Sequence, residues 1–226
     1  MSESVRTARP SMIRVLLDPT EEMKRIRENP VFWGALLLVT LAGAVLYGFQ
    51  MYFVAQDPAL WSRMMGNAEM PGVGQEQLKT VTMLVSAVGM LFTYPVGLLI
   101  GAFVLWFIVS LFQGEATYRQ LFSLQAHLGI FVLLGLLVNF AGTALFGLNP
   151  MYPPTSLAAF VEAEGMLEGF LMNLEVFNIW STVVLAIGLK EIAGLSKGKA
   201  WTVAVLYWGL FALLAAGTSG LASIGA

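Results

Sequence analysis

An apolar run about as long as a bilayer is thick constrains this chain more than any other feature. Residues 174–193 would form about 30 Å of helix at about 1.5 Å of rise per residue, the thickness of a hydrocarbon core. The run ends at Gly194 in a short turn that carries Lys197 and Lys199. Because a turn of this length cannot cross a membrane, the chain must turn back at the same surface. The run therefore predicts an integral membrane protein, and its basic turn is expected to face the cytoplasm.

Four further apolar runs extend this prediction to the whole chain. With 58% hydrophobic residues, 12% charged residues and a mean hydropathy of +0.76, the sequence has more apolar surface than a soluble domain buries. We expect an all-α integral membrane bundle of five transmembrane helices with a short amphipathic cytosolic N-terminal helix. The N-terminal segment covers residues 1–30 and the membrane domain covers residues 31–226. The expected spans are residues 31–53, 80–112, 120–146, 174–193 and 201–224.

The second run, residues 80–112, is too long for one straight span. Its roughly 33 residues would make about 50 Å of helix. Pro95 lies near its middle and removes a hydrogen bond from the carbonyl of Leu91. The sequence favours one span that is kinked at Pro95, and it leaves two short re-entrant helices as the alternative. Gly97 and Gly101 form a GxxxG pattern after the proline, which favours close helix packing.

The N-terminal segment contains a helix-start signal before the first span. Asp18 is placed to cap the helix, Pro19 occupies its first position and Glu21 follows three residues after the cap. This helix is expected to run to about Glu28, with Glu21 paired to Arg25 and Lys24 paired to Glu28 at i,i+4 spacing. Its position before the membrane makes Asp18, Pro19 and Glu21 a candidate cytosolic docking site.

The distribution of basic residues predicts the orientation of the bundle. Ten of the 12 lysines and arginines lie before the first span, in the turn after the second span, or at the end of the fourth span and in the turn that follows it. Only Arg63 and Lys79 lie on the other side. Basic residues accumulate in cytoplasmic loops, so the N terminus is expected in the cytoplasm and the C terminus outside.

Several classes of chemistry find little support in this composition. The chain has no cysteine, a single histidine and a net charge of −2, so we expect no cofactor, no metal site and no nucleic-acid partner. The sequence also lacks a convergent set of nucleophile, base and metal ligands, which argues against an enzyme. The lipid bilayer is the expected environment, together with a membrane or cytosolic protein partner or a second copy of the chain.

Two polar residues lie within the predicted third span. His127 and Asn139 stand among leucines and glycines, and polar groups inside a membrane often mark a functional path. Each also has an ordinary explanation. His127 is close enough to Arg119 to reach the headgroups, and Asn139 can bond to a neighbouring helix.

A stripe of carboxylates precedes and enters the fourth span. If one helix continues from Leu157 into that span, Glu164, Glu168, Glu175 and Asn178 share a face and line an outer vestibule that would attract a cation or a lipid amine. In the alternative, glycines 165 and 169 break the helix. Glu164 and Glu168 are then solvated loop charges and Glu175 lies at the membrane interface.

Three strings resemble the bacterial branch of the Yip (Ypt-interacting protein) domain family. They are DPTEEMKRIRENP before the first span, GEATYRQLFSL at the start of the third, and FNIWSTVVLAIGLKEIAGLSKGKAW in the fourth. The resemblance implies a five-helix membrane domain with a cytosolic N terminus, here in a bacterial inner membrane. Eukaryotic relatives work in vesicle traffic with Rab-type GTPases. This chain lacks their Asp-Leu-Tyr-Gly-Pro string, since Asp18-Pro19 has neither the tyrosine nor the glycine, so Rab binding is not expected.

Two functions follow as hypotheses. The favoured one is a non-enzymatic membrane scaffold or adaptor in membrane organisation or trafficking. The alternative is a transporter of a small solute or ion, or a lipid scramblase, with a polar site near Glu175 and Asn178. A transporter needs a polar path across the bilayer, whereas a scaffold can have a sealed apolar core.

Overall fold

The computed structural model describes residues 9–65 and 74–224, and these residues are mostly helical. Residues 1–8, 66–73 and 225–226 belong to the predicted N-terminal segment, first outer loop and C terminus, and they lie outside the described part of the chain. Within that part there is no β-strand, and the expected all-α class is confirmed. The α-helices are α1 Met12–Leu17, α2 Pro19–Glu28, α3 Trp33–Gln56, α4 Pro58–Met65, α5 Gln75–Leu111, α6 Tyr118–Phe146, α7 Gly165–Asn173, α8 Val176–Ala193 and α9 Lys197–Ile224.

Five of these helices are long and apolar enough to cross a membrane, as the sequence predicts. They are α3, α5, α6, α8 and α9. Several bounds differ from the prediction because a helix ends where its backbone is capped, not where its apolar run ends. Thus α5 begins at Gln75, where the Gln77 side chain accepts the N–H of Gly74 at 3.4 Å. Similarly, α9 begins at Lys197, inside the basic turn.

The long second run forms one helix. α5 continues through Pro95 from Gln75 to Leu111, so the re-entrant alternative is wrong. Of the two glycines in the GxxxG pattern after the proline, Gly101 is closely packed and Gly97 is not. A Cβ atom at Gly101 would lie 2.7 Å from the Tyr207 hydroxyl, whereas Gly97 has open space around its Cα atom.

The core of the bundle is built around α6, which packs against α3, α5 and α8. Leu121, Leu124 and Phe131 of α6 are buried in the largest apolar cluster, together with residues of α8 and α9. At Gly129 the backbone of α6 approaches α3 so closely that a Cβ atom would lie 2.7 Å from Cγ2 of Val39. Close approach of this kind needs a small residue.

Candidate functional site

The first two helices pack onto one end of the bundle. α1 contacts α6, and α2 contacts both α6 and α8. Val15, Met23 and Ile26 of these helices are fully buried and belong to the same apolar cluster as the core of α6 and α8. Met23 and Ile26 are three positions apart and lie on one face of α2. This face is part of the internal packing of the bundle.

The start of α2 follows the predicted local signal in part. Asp18 caps the helix by accepting the N–H of Glu21 at 3.2 Å, and Pro19 is at the first position. The predicted i,i+4 pairs are wrong, because the side chains pair at i,i+3 spacing: Glu21 with Lys24, and Glu22 with Arg25. The hydrogen bond to Glu21 raises the pKa of Lys24.

The helices α1 and α2 together form a short helical hairpin, residues 12–28. Glu22 is its most unusual residue, because the side chain is only 1% exposed. One oxygen accepts the backbone N–H of Ser11, and the other lies 3.1 Å from Nη1 of Arg25, whose side chain is 14% exposed. A buried charge needs such partners, since burial without them is costly. The carboxylate thereby joins the residue before α1 to the second turn of α2.

His127 is not exposed on the surface of the bundle. Its side chain is buried in α6, and its Nδ1 lies 2.8 Å from the carbonyl oxygen of Ser123 one turn earlier. The Ser123 hydroxyl in turn donates to the carbonyl of Val31, between the hairpin and the first span. The histidine therefore lies within the packed end of the bundle.

Hydrogen bonds join α2 to the start of α6 and the end of α8, and the turn 112–117 to the end of α8. The Gln120 side chain donates to the carbonyl of Arg27 at 2.8 Å, and Arg27 donates to the carbonyl of Glu191 at 3.4 Å. The N–H of Glu115 donates to the carbonyl of Ala193 at 3.0 Å. We call this surface the basic face. It is formed by α1, α2, the starts of α6 and α9, the end of α8 and the turns 112–117 and 194–196. Its exposed basic residues include Arg14, Arg27, Arg119, Lys190, Lys197 and Lys199.

The opposite face is formed by α4, residues 147–175 and the end of α9. No helix continues from Leu157 into the fourth span, so the structure agrees with the alternative in which the helix breaks. A short 3-10 turn, Leu157–Ala159, is separated from α7, and α7 is separated from α8 at Leu174 and Glu175. Gly165 has a left-handed φ of +58° at the start of α7, as the alternative anticipated. Gly169 lies within α7 and does not break it. It packs against Ala215 and Ser219 of α9.

The stripe residues Glu164 and Glu168 have different surroundings. Glu164 is exposed before α7. Glu168 lies 2.8 Å from Nη2 of Arg63 and accepts the hydroxyl of Tyr152 at 2.6 Å. Burial raises the pKa of Tyr152, and the hydrogen bond to Glu168 raises it further. Glu168 therefore joins α4, the loop after α6 and α7, and its charge is already paired.

Glu175, Asn178 and Asn139 do not meet in a common cavity. Glu175 is buried and caps α8, where its carboxylate accepts the N–H of Asn178 at 2.9 Å and the hydroxyl of Thr155. Asn178 is exposed on the outside of α8. Asn139 is buried and donates to the carbonyl of Pro150 at 3.1 Å. Across residues 9–65 and 74–224, no group of three or more acidic or histidine side chains is arranged to hold a metal ion.

Two concave regions lie on the opposite face. An open groove of about 810 Å³ runs between α7 and α9, with Met166, Leu213 and Leu214 among its apolar walls and Glu164 at its edge. A smaller cleft of about 330 Å³ lies where α3 meets α4 and where α6 ends. Neither region forms a path to the basic face, since their lining residues belong to the opposite half of the bundle.

Comparisons with known proteins agree with this architecture. The sequence model of the Yip1 domain matches residues 13–218. "Membrane protein YknW" of Bacillus subtilis (strain 168) is 33% identical over 207 residues, which cover 90% of this chain and 87% of that protein. No solved structure gives a significant match. The matched region begins inside α1, so it includes the packed hairpin as well as the five spans.

Proposed function

This chain belongs to the Yip1 domain family, and from that premise we propose that it is a non-enzymatic membrane scaffold or adaptor. The observation that carries the proposal is the basic face. Separate parts of the chain meet there. α1 packs against α2 and α6, α2 is hydrogen-bonded to the start of α6 and the end of α8, and the turn 112–117 is hydrogen-bonded to the end of α8. A surface of this kind offers a partner a fixed arrangement of charges.

The transport alternative has less support. Asn178 is exposed on the outside of α8, Glu175 caps a helix and Glu168 is paired with Arg63. Within the described residues these groups do not line one continuous route between the two faces. A carrier would need such polar groups to converge on a water-filled cavity near the middle of the membrane.

We infer that the partner is a membrane or cytosolic protein with an acidic surface. Arg119 and Lys197 project from two different parts of the basic face, and positive patches attract complementary negative ones. Glu28 and Glu115 are exposed on the same face, so the charge is patterned, which favours one orientation of the partner over others.

Site-specific crosslinking tests this proposal. A photoreactive amino acid at Arg119 or Lys197 should give discrete adducts with other proteins in native membranes, whereas the same probe at Glu164 should not. Charge reversal at the other position of the basic face should lower the adduct yield about fivefold or more. Membrane extraction should be unchanged. Adducts that arise equally at Glu164, or none at all, would argue against a scaffold that works through this face.

We also propose that the basic face lies in the cytoplasm of a bacterial cell and that the protein resides in the inner membrane. A reporter that is active only outside the cytoplasm should work when it is fused after Ala226, because residues 9–65 and 74–224 contain five candidate spans, an odd number. The same reporter inserted after Gln113 should be inactive. An active reporter after Gln113 would reverse the orientation.

A further inference from the structure

The smaller cleft on the opposite face is lined by both polar and apolar residues. Its walls include Asp57 between α3 and α4, Thr143 of α6 and Pro150 of the following loop. Phe53 and Leu148 supply apolar surface beside them. There is no lysine or arginine among the lining residues. The cleft thus combines negative and apolar character at the end of the membrane-spanning helices.

Two buried oxygen atoms at this place lack a donor. Oγ1 of Thr143 and Oδ1 of Asn139 are both buried, and neither has a hydrogen-bond partner in the described part of the chain. Asn139 is 5% exposed and lies one helical turn before Thr143, on the same side of α6. Buried polar atoms are normally paired. The amide oxygen of Asn139 can only accept, and the hydroxyl of Thr143 can accept as well as donate, so these two oxygens point to a missing hydrogen-bonding group.

The orientation of the Asn139 amide is fixed by its neighbours. Its Nδ2 donates to the carbonyl of Pro150 at 3.1 Å, and the same carbonyl accepts Nε2 of Gln50 at 2.7 Å. Exchanging the two amide atoms of Asn139 would place its oxygen against that carbonyl, which is repulsive. The Nδ2 atom of Asn139 is therefore bonded to Pro150, which lines the cleft, while Oδ1 of Asn139 has no partner among the described residues.

Asp57 places a negative charge at the rim. Its Oδ1 accepts the N–H groups of Ala59 at 2.9 Å and Leu60 at 3.2 Å, which fixes the carboxylate at the start of α4. No basic side chain within residues 9–65 and 74–224 forms an ion pair with it. A ligand that brings both positive charge and several N–H donors would match this set of acceptors.

We propose that this cleft binds a primary ammonium group, carried by an aminophospholipid headgroup or by a free amine. Such a group has three N–H donors, which suit the carboxylate of Asp57 and the hydroxyl of Thr143 in the wall of the cleft. The amide oxygen of Asn139 lies behind this wall, next to Pro150. A calcium ion takes six to eight oxygen ligands, and the apolar walls of Phe53 and Leu148 do not supply them. Those walls suit the methylene carbons of an ethanolamine group. The site is separate from the basic face and does not depend on the function proposed for it.

Binding to two matched lipids tests this inference. Purified full-length protein in an uncharged detergent should gain thermal stability from phosphatidylethanolamine but not from phosphatidylcholine, which has the same charge and no N–H donor. Free ethanolamine and choline distinguish the source of the amine: stabilisation by free ethanolamine indicates that the headgroup chemistry is sufficient. Stabilisation by the lipid alone indicates that its acyl chains contribute.

Three substitutions locate the effect. Thr143→Val, which keeps the side-chain shape, and Asp57→Asn should each weaken phosphatidylethanolamine binding about tenfold. Thr40→Val is the matched control, because Oγ1 of Thr40 is also buried and unpaired but lies in α3, away from the cleft. It should leave binding unchanged. Equal binding of the two lipids, no binding of either, equal stabilisation by sodium or calcium, or full binding by Thr143→Val would overturn the proposal.

Discussion

Replacing Glu22 with alanine is expected to destabilise the folded protein by about 3 kcal/mol, near the lower end of the range for breaking a buried ion pair. The carboxylate is 1% exposed, and its removal leaves Arg25 and the N–H of Ser11 without their acceptor. Arg25 is 14% exposed, so water recovers part of the lost interaction. The measurement is unfolding in denaturant, combined with protease cleavage at the arginines of α2.

Glu21→Ala provides the control for this experiment. Glu21 is one residue away and also pairs with a basic residue three positions later, but its side chain is 41% exposed. Exposed ion pairs contribute about 1 kcal/mol or less. Loss of Glu21 should therefore have a small effect and leave α2 protected from protease. If the two variants behaved alike, the buried carboxylate would not be what holds the hairpin in place.

Gly129→Val is expected to have a comparable effect in the middle of the bundle. A Cβ atom there would lie 2.7 Å from Cγ2 of Val39 and closer still to the Tyr94 hydroxyl. Val39 is fully buried and its branched side chain has few alternative rotamers. Overpacking of this kind typically costs about 1 to 3 kcal/mol, and occasionally more. Reduced thermal stability in detergent would measure it.

A second glycine in the membrane domain serves as the comparison. Gly209 of α9 has open space where a Cβ atom would be placed. Gly209→Val should therefore change thermal stability by less than about 1 kcal/mol, since the added methyl groups meet no neighbouring side chain. Equal losses at Gly129 and Gly209 would mean that the contact between α3 and α6 is looser than the structure indicates.

The features that sequence predicted well are those set by neighbouring residues. The five spans follow from runs of apolar residues, and the start of α2 follows from Asp18 and Pro19 within one turn. The ion pair of Glu168 could not be predicted in this way. Its partner Arg63 is 105 positions away, and no local pattern links the two. The same holds for Glu175, which caps α8 with the help of Thr155, 20 positions earlier.

The sequence could not decide between a continuous and a broken helix after Leu157 for a related reason. The periodic spacing of residues after Leu157 fits a helix, but Gly165 adopts a left-handed conformation and Glu175 starts a new helix by capping it. The cap satisfies the N–H of Asn178, and the short helix between the two breaks packs Gly169 against α9. Spacing alone cannot weigh that contact against an unbroken helix, because the partner helix lies later in the chain.

The burial of Met23 beside Gly188 has a consequence for biosynthesis. These residues are 165 positions apart, and Met23 lies within contact distance of the Cβ position of Gly188. At about 5 to 20 residues per second, a ribosome needs roughly 8 to 33 seconds to add that many residues. An isolated 10-residue helix such as α2 is only marginally stable in water. α2 must therefore remain without its final packing contacts until the fourth span has been inserted.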